Sequence, residues 1–584
     1  MFLVIGEKPS VAQALAKVLH AGKRENGYFT GKDCIVSWCL GHLAEYVSPE
    51  VYDEKYKKWE FSDLPILPEE WKLSVIKDKK GQFSVLKKLL NRKDLSYVVD
   101  ACDAGREGEL IFKRVYDLSG SRLPVKRLWI SSLEDSAIRE GFENLKDGKE
   151  YENLCEASIC RAKADWLVGM NATRAFSTKY AKRMTVGRVQ TPALAMLVER
   201  EMRIKDFKKE KYFMVHLLCD DLDVVTGRID NREEAEKIMK ACESDRTQVD
   251  SVVKENKSTA PPKLYDLTTL QRDANRIFGY TAKQTLQYVQ SLYEKKLATY
   301  PRTDSRFLSD DMEQTARNVT EAIFNSVLFQ EDVLFHPDIK RVLDSKKVTD
   351  HHAIIPTAEI GKADLSALPE TERNILSMIA YRLLSATGDV HLYETVKPEI
   401  SCNGYTFTAS GKSVTHKGWK EIEDIFRRSL KVTENQEETE SGEKELTQLT
   451  EGQSFENVRA SISEHFTNPP KYYTEDTLLL SMETAGSKEF EGETEKKGLG
   501  TPATRAGIIE KLVSSGYVVR KGRQLIPTAE GTELIGLMPD YLKSAQMTAE
   551  WENDLLRMEK GELNSRLFMQ GITGLIEKML AGLA

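Results

Sequence analysis

The amino-acid sequence predicts a multidomain α/β plus α+β protein that opens with a Rossmann-like domain, and three observations carry that prediction. A short apolar run, Phe2-Leu3-Val4-Ile5, suits a buried strand and ends at Gly6-Glu7-Lys8-Pro9-Ser10. Val11, Ala14, Leu15, Val18 and Leu19 then fall on one helical face. The same strand–loop–helix unit recurs from Tyr97-Val98-Val99 through 100–109 into Leu110, Ile111, Val115 and Leu118. Beyond it, helical periodicity over 152–203 gives way to strand-like alternation from about Tyr212 and again over 393–460. A chain of 584 residues exceeds what one core can hold, so three to five domains are expected.

In the first unit, Ser10 followed by Gln13 predicts a capping box. Glu7 and Lys8 then lie on the loop at the C-terminal end of a strand, where open α/β sheets place their ligands. The second unit puts Asp103 and Glu107 at the equivalent place. Carboxylates gathered on two strand ends repel one another unless a cation joins them, and hard oxygen donors favour Mg²⁺. Glu7, Asp103 and Glu107 are the candidate ligands; Asp100 and Glu109 stand as alternatives, Glu109 reading equally well as a first-turn charge.

In the helical stretch, Arg161 and Asp165 share a face and suit either an i,i+4 ion pair or contact with a nucleic acid. Ala260-Pro261-Pro262 reads as a linker into a helix over 266–278. Thr281 with Gln284 opens the next helix, which carries Leu286, Val289, Leu292 and Tyr293 along one face. At its exit stands Ala298-Thr299-Tyr300-Pro301-Arg302-Thr303-Asp304-Ser305. Pro301 holds Tyr300 extended, and Thr303, Asp304 and Ser305 read as caps of a further helix over 310–328. A phenol of ordinary pKa, about 10, is a poor nucleophile. A guanidinium two residues away, Arg302, would stabilise both an attacked phosphate and the phenolate. Taken alone, the pair is equally well a buried tyrosine beside a surface arginine.

Composition narrows the class. Charged residues at 30% and hydrophobic ones at 40% exclude a fibrous or disordered chain. No apolar run approaches a membrane span, and the N-terminus reads as a strand rather than a signal peptide, so a cytoplasmic protein is expected. The net charge of −7 does not forbid a local basic groove, since acid is concentrated in 434–445. Eight cysteines suit a reducing compartment. Cys34/Cys39 and Cys155/Cys160 share a spacing that zinc uses, but their neighbours read as a strand and a helix. Ser410-Gly411-Lys412-Ser413 lacks the glycine of a phosphate-binding loop, having Thr406 there, so the reaction needs no nucleotide.

The YPRTDS segment resembles the active-site segment of type IA DNA topoisomerases, closest to the bacterial topoisomerase III branch of that family. Further segments match it in order: 161–174, 187–193, 347–357, 498–505 and 548–552. The resemblance implies a Toprim domain over 1–150 and a helical DNA-groove domain over 151–212 and 480–584. It also implies a β-rich arch over 213–278 and 393–479, and a helical domain over 279–392 carrying the tyrosine, the four forming a torus. Tyr300 would attack DNA to give a 5′-phosphotyrosine, assisted by Arg302, Lys8, Glu7 and His351. Arg161, Asp165, Arg174, Arg188, Gln190, Asp304 and Arg505 would contact the strand.

The resemblance thus implies ATP-independent cleavage of one strand, strand passage and religation, relaxing or decatenating underwound or single-stranded DNA. A monomer is expected. One departure bears on the metal: Gly105 stands where the Toprim pattern D-x-D-x-E has its middle aspartate, which reduces the expectation to a single Mg²⁺. No cysteine follows Cys402, so the C-terminal zinc ribbons of many relatives are not expected. Chemistry alone assigns no role to 548–552. A Toprim nuclease would share Glu7 and Asp103 without needing Tyr300, and a non-catalytic strand-binding protein would never become covalently attached.

Overall fold

The computed structural model describes residues 1–243, 245–329, 335–348, 351–430, 449–456, 458–485 and 498–583; the acidic run 434–445 lies outside them. The N-terminal body is built on a seven-stranded sheet with Phe2–Gly6 at its centre. That strand runs parallel to both Cys34–Trp38 and Val98–Ala101, with Gly6 in register with Ala101. Its side chains alternate, as a strand covered on both faces requires. Val4 packs with Val11, Leu15 and Val99 on one side; Leu3 and Ile5 pack with Leu86, Leu90 and Val115 on the other.

The first helix, Pro9–Val18, starts two residues earlier than the predicted capping box allows. Lys8 is its N-cap and Pro9 occupies the first turn, so Ser10 and Gln13 form no box. Proline fits there because its missing N–H would have no helical partner. The second helix, Arg106–Ser119, follows Gly105, whose φ of +129° belongs to a region only glycine enters readily. Gly108 brings the helix hard against the preceding loop: a Cβ there would lie 1.8 Å from the Asp103 carbonyl oxygen. Gly108→Ala is therefore expected to cost about 1–3 kcal/mol and to displace the Asp103 loop, measurable by urea unfolding.

The helical body centres on Glu152–Lys179 and Gln190–Lys205, closed by Pro502–Ser514, Ala545–Glu559 and Ser565–Leu583. Their apolar residues, among them Phe176, Leu194, Leu512 and Leu555, form one core. The β-rich body is an eight-stranded sheet ending in the edge strand Arg459–Phe466, with the Arg232–Cys242 helix against it.

The tyrosine-bearing body has its own core, which includes Val289, Leu292, Ile375 and Leu383. Leu267, Leu270 and Ala274 join it, so the Leu267–Phe278 helix packs here and not with the strands, where the sequence boundary at 278 put it. Ile422 and Phe426 of Lys420–Ser429 do the same. Thr281 and Gln284 do cap the Ala282–Glu294 helix reciprocally. Thr303, Asp304 and Ser305 cap no helix. The next α-helix is Glu313–Phe324, and Thr303 and Ser305 bind loop carbonyls at His351 and Lys347 instead.

Candidate active site

Tyr300 sits on extended backbone beyond the Ala282–Glu294 helix. Ala298 pairs with Pro356 in a β-bridge, and the Thr299 N–H donates to the Ile355 carbonyl at 3.0 Å. The Tyr300 N–H crosses to the N-terminal body and donates to the Ser131 carbonyl at 3.0 Å. Its ring is 5% exposed, edge-on to Tyr293 and 4.3 Å from the His351 ring. Burial, reinforced by Asp103, holds the phenol well above its ordinary pKa, with Arg302 opposing. It enters any reaction protonated.

His351 is a wedge between two bodies. Its Nε2–H donates to the Ala104 carbonyl at 2.7 Å, which leaves Nδ1 to accept from the Ser131 hydroxyl at 2.9 Å. Burial lowers its pKa to about 4, so the ring is neutral at physiological pH. The adjacent His352 turns to the Ala353 carbonyl instead.

Arg302 lies in the field of Tyr300, Glu7, Asp103 and Glu107, yet its Nε is buried without a hydrogen-bond partner among the described residues. An unpartnered buried donor is costly, and an arriving anion would satisfy it. Glu7, 4% exposed, faces the Asp103 charge across the two strand ends. Burial first, and the Asp103 charge second, raise its pKa to about 8 against the pull of Arg302 and Lys8. Glu7 is therefore a carboxylic acid at neutral pH and a ready proton donor.

The sign of this shift is testable. With a raised native pKa, the folded protein holds more protons than the unfolded chain between the two values, so stability falls as pH rises through that window. In chelator, wild-type protein is expected to lose melting temperature relative to Glu7→Gln between about pH 5 and pH 8, following the shift from 4.5 to about 8. A flat difference would show that Glu7 titrates normally.

The donor set fits a hard divalent cation at Glu7 and Asp103. Asp103 Oδ2 is buried and unpartnered among the described residues, and a cation beside it would offset the repulsion that raises the Glu7 pKa. Glu107 is engaged elsewhere: it accepts from His42 Nε2 at 3.0 Å and lies 4.0 Å from Arg161. The His42 hydrogen bond, outweighing burial, lowers its pKa to about 2. Accordingly, no group of three or more His, Cys, Asp or Glu side chains that could hold a metal stands ready-made among the described residues. The cysteine pairs form no such group either.

Neither alternative ligand reaches the cluster. Asp100 and Glu109 are turned to Arg127, which is 1% exposed and donates to Glu109 Oε1 at 2.7 Å. The same guanidinium binds the Cys102 and Asp103 carbonyls at 2.7 and 3.0 Å, pinning the loop from beneath.

A cleft joins these parts. One lobe, about 680 Å³, is lined by Glu7, Lys8, His42 and Glu294; the other, about 400 Å³, by Tyr300, Asp304, His351 and Arg505. Glu107, Arg302 and Ala503 line both. Lys8 pairs with Glu294, the last residue of the tyrosine helix, at 3.2 Å. Arg505 is buried and donates to Leu499 O and to Thr268 Oγ1, so it braces the wall.

Behind Arg161 lies a residue whose role the sequence did not show. Glu552, 1% exposed, receives Arg188 at 3.0 Å and Arg106 at 2.9 Å, with Arg161 at 4.0 Å. Burial would raise its pKa, but the three guanidiniums overcome this and hold it well below the usual carboxylate range. Asp165 binds the far side of Arg188 at 2.9 Å, and Trp551 lies under that guanidinium. Gln190 is buried with both amide atoms unpartnered among the described residues. Arg174 is not brought to the cleft: it donates to the Tyr56 carbonyl at 2.8 Å and covers Trp59.

Comparison with known proteins agrees with this architecture. The Toprim domain matches residues 2–133, and the family described as DNA topoisomerase matches residues 149–570. The chain belongs to the type IA DNA topoisomerase family and is a DNA-binding isomerase. It is 40% identical to DNA topoisomerase 3 of Bacillus subtilis strain 168 over 591 residues, 97% of this chain and 80% of that protein. It is likewise 40% identical to DNA topoisomerase 3 of Bacillus anthracis over 586 residues, covering 97% and 79%. Among solved structures, full-length topoisomerase I from Thermotoga maritima shares the fold, with a TM-score of 0.73 at 23% identity over 99% of this chain and 90% of that one. No helix among the described residues is long and apolar enough to cross a membrane.

Proposed function

We propose that the chain acts as a topoisomerase III-like enzyme that cuts one strand of underwound DNA through Tyr300, passes a second strand and reseals the first. The Tyr300 oxygen forms a bond to phosphorus while the bond to the 3′-oxygen breaks, giving a 5′-phosphotyrosine and a free 3′-hydroxyl. The ester conserves the bond energy, so resealing needs no ATP. The phenolic proton passes to solvent as the bond to phosphorus forms, Glu7 gives its own proton to the departing 3′-oxygen, and both transfers reverse on religation. Arg302 meets the charge that builds on the phosphate, Lys8 adds to that field, and neutral His351 holds the tyrosine ring in place. The observation that carries this reading is the unpartnered Arg302 Nε between a buried tyrosine and a protonated Glu7.

Asp103, joined by Glu7 once it has given up its proton, would hold one Mg²⁺, with Glu107 in reach if it releases His42. The ion would supply positive charge beside the cut ends. Arg161, Arg188, Gln190, Asp304 and Arg505 would line the path of the strand; Arg174 would act through the wall it braces. We divide the chain into a Toprim body over 1–150, a groove body over 151–212 and 480–584, and a β-rich arch. The tyrosine body would begin near residue 263. Together they form a ring that opens at the Toprim–tyrosine seam, in a cytoplasmic monomer. The relatives named DNA topoisomerase 3 support the type III reading.

Covalent trapping tests it. Wild-type protein is mixed with a labelled single-stranded oligonucleotide and denatured abruptly, with and without Mg²⁺. A labelled protein adduct on the 5′ side of the break is expected, with resealing dependent on Mg²⁺. Strand binding with no adduct under either condition would overturn the assignment.

A further inference from the structure

None of the residues lining the cleft belongs to a second polar cluster, on the outer face of the eight-stranded sheet. Asp223, on Leu222–Val225, places its two carboxylate oxygens 3.1 and 3.2 Å from Nδ1 of His216, on Lys211–Cys219. The other ring nitrogen of His216, Nε2, is 2.7 Å from Ser463 Oγ on the edge strand Arg459–Phe466. His465 brings its own Nε2 to 2.7 Å from that same oxygen. Strand register puts all four on one face: Tyr212 pairs with His465, Met214 with Ser463, and Leu218 with Asp223. Phe213, Val215 and Leu217 fill the core on the opposite face. Tyr212 stacks on the His465 ring at 5.3 Å and fixes its plane.

The four side chains form one hydrogen-bonded chain that closes on Ser463. Asp223 takes the Nδ1 proton of His216, which leaves the Nε2 lone pair aimed at Ser463. One hydroxyl proton cannot serve two imidazole acceptors, so His465 must carry its proton on Nε2 for the chain to close. Two imidazole nitrogens converging on one point, with a carboxylate behind one of them, is also how borderline divalent metals are bound. Imidazole suits Zn²⁺, Ni²⁺ and Cu²⁺, and a ligating histidine nearly always donates its other N–H to a carboxylate or carbonyl.

We propose that His216, His465 and Ser463 form a transition-metal ion site, with Asp223 orienting His216. The two Nε2 atoms bind as neutral imidazoles, His465 then carrying its proton on Nδ1, and Ser463 contributes its hydroxyl oxygen. Metal–nitrogen bonds of about 2.0–2.1 Å are shorter than the 2.7 Å that now separates each Nε2 from Ser463 Oγ, so both rings would draw in on an ion. The donors sit on two paired strands, with Asp223 on a third paired to one of them, which keeps that adjustment small. An ion here staples the edge strand to its neighbours, at the point where the chain leaves the sheet for the Glu475–Thr484 helix.

The test is calorimetric titration of the full chain with Zn²⁺ in excess Mg²⁺, which keeps the cleft carboxylates occupied. Thiols common to all variants contribute equally and cancel. His216→Ala and His465→Ala are each expected to weaken this site about tenfold or more, and Asp223→Asn by about 10–100-fold. Zn²⁺ should raise the melting temperature of wild-type protein but not of the double histidine variant. Plasmid relaxation in Mg²⁺ without added Zn²⁺, which none of these residues serves, reports that the variants are folded. Identical Zn²⁺ titrations of wild type and the double histidine variant would overturn the site. Wild-type affinity in Asp223→Asn would overturn the part given to the carboxylate.

Discussion

Tyr300→Phe is expected to yield no covalent protein–DNA adduct, to bind single-stranded DNA as wild type does and to melt close to the wild-type temperature. The phenyl ring keeps the edge contact with Tyr293 and the packing against His351, and the backbone N–H still donates to Ser131. Only the oxygen proposed to bond to phosphorus is gone. The change therefore separates chemistry from folding better than any other in the cleft. Denaturing gels of the trapped reaction read the adduct, and a mobility shift reads binding. An adduct surviving in this variant would remove Tyr300 from its role. Cleavage without an adduct would make the Toprim carboxylates a metal-dependent nuclease.

Glu552→Gln is expected to lower stability by about 3–5 kcal/mol, the usual cost of removing one partner from a buried ion network. The side chain is 1% exposed and stands among Arg106, Arg161 and Arg188, so an amide leaves guanidiniums facing one another without compensation. The pH dependence follows from the direction of its shift. A carboxyl held below its unfolded pKa contributes fully above that value and loses its contribution only as pH falls through the depressed native one. The gap between wild type and Glu552→Gln should thus persist from neutral pH well into the acid range. Urea unfolding at several pH values measures it. A gap below about 1 kcal/mol at pH 7, typical of an exposed pair, would show that solvent and not Glu552 balances these arginines.

The parts of the site set by a local pattern were legible in the sequence. Glu7 and Asp103 could be placed because each follows a short apolar strand, and two such strands in a doubly covered sheet put their loops on one edge. Tyr300 and Arg302 could be paired because Pro301 holds the backbone between them. What the sequence did not carry was distance across the fold. Glu552, Arg106 and Arg188 are far apart in the chain, and nothing local in Thr548-Ala549-Glu550-Trp551-Glu552 says which cations it gathers. Nor does any local pattern say that Arg127 takes Asp100 and Glu109 away from the metal side, or that His42 takes Glu107.

Cap chemistry misled at two places for a physical reason. Ser10 lost to Pro9, whose fixed φ suits the first turn, and Thr303 and Ser305 spend their hydroxyls on tertiary loop carbonyls. The Leu267–Phe278 helix was assigned by its neighbours in sequence, whereas its apolar face decides where it packs.

The seam between the Toprim and tyrosine bodies is made of the reactive groups' own contacts: Tyr300 to Ser131, His351 to Ala104 and Ser131, Lys8 to Glu294, Lys296 to Asp135. Parting the bodies therefore carries the tyrosine, with any DNA end bonded to it, away from Glu7 and its proton. A gap in the DNA held this way is inert for as long as the bodies are apart, because the atoms needed to close it are not assembled. Such a molecule has an interlock in which movement disables chemistry and chemistry waits on the return. Variants that loosen the seam would trade that security for speed, leaving breaks open longer in exchange for easier passage.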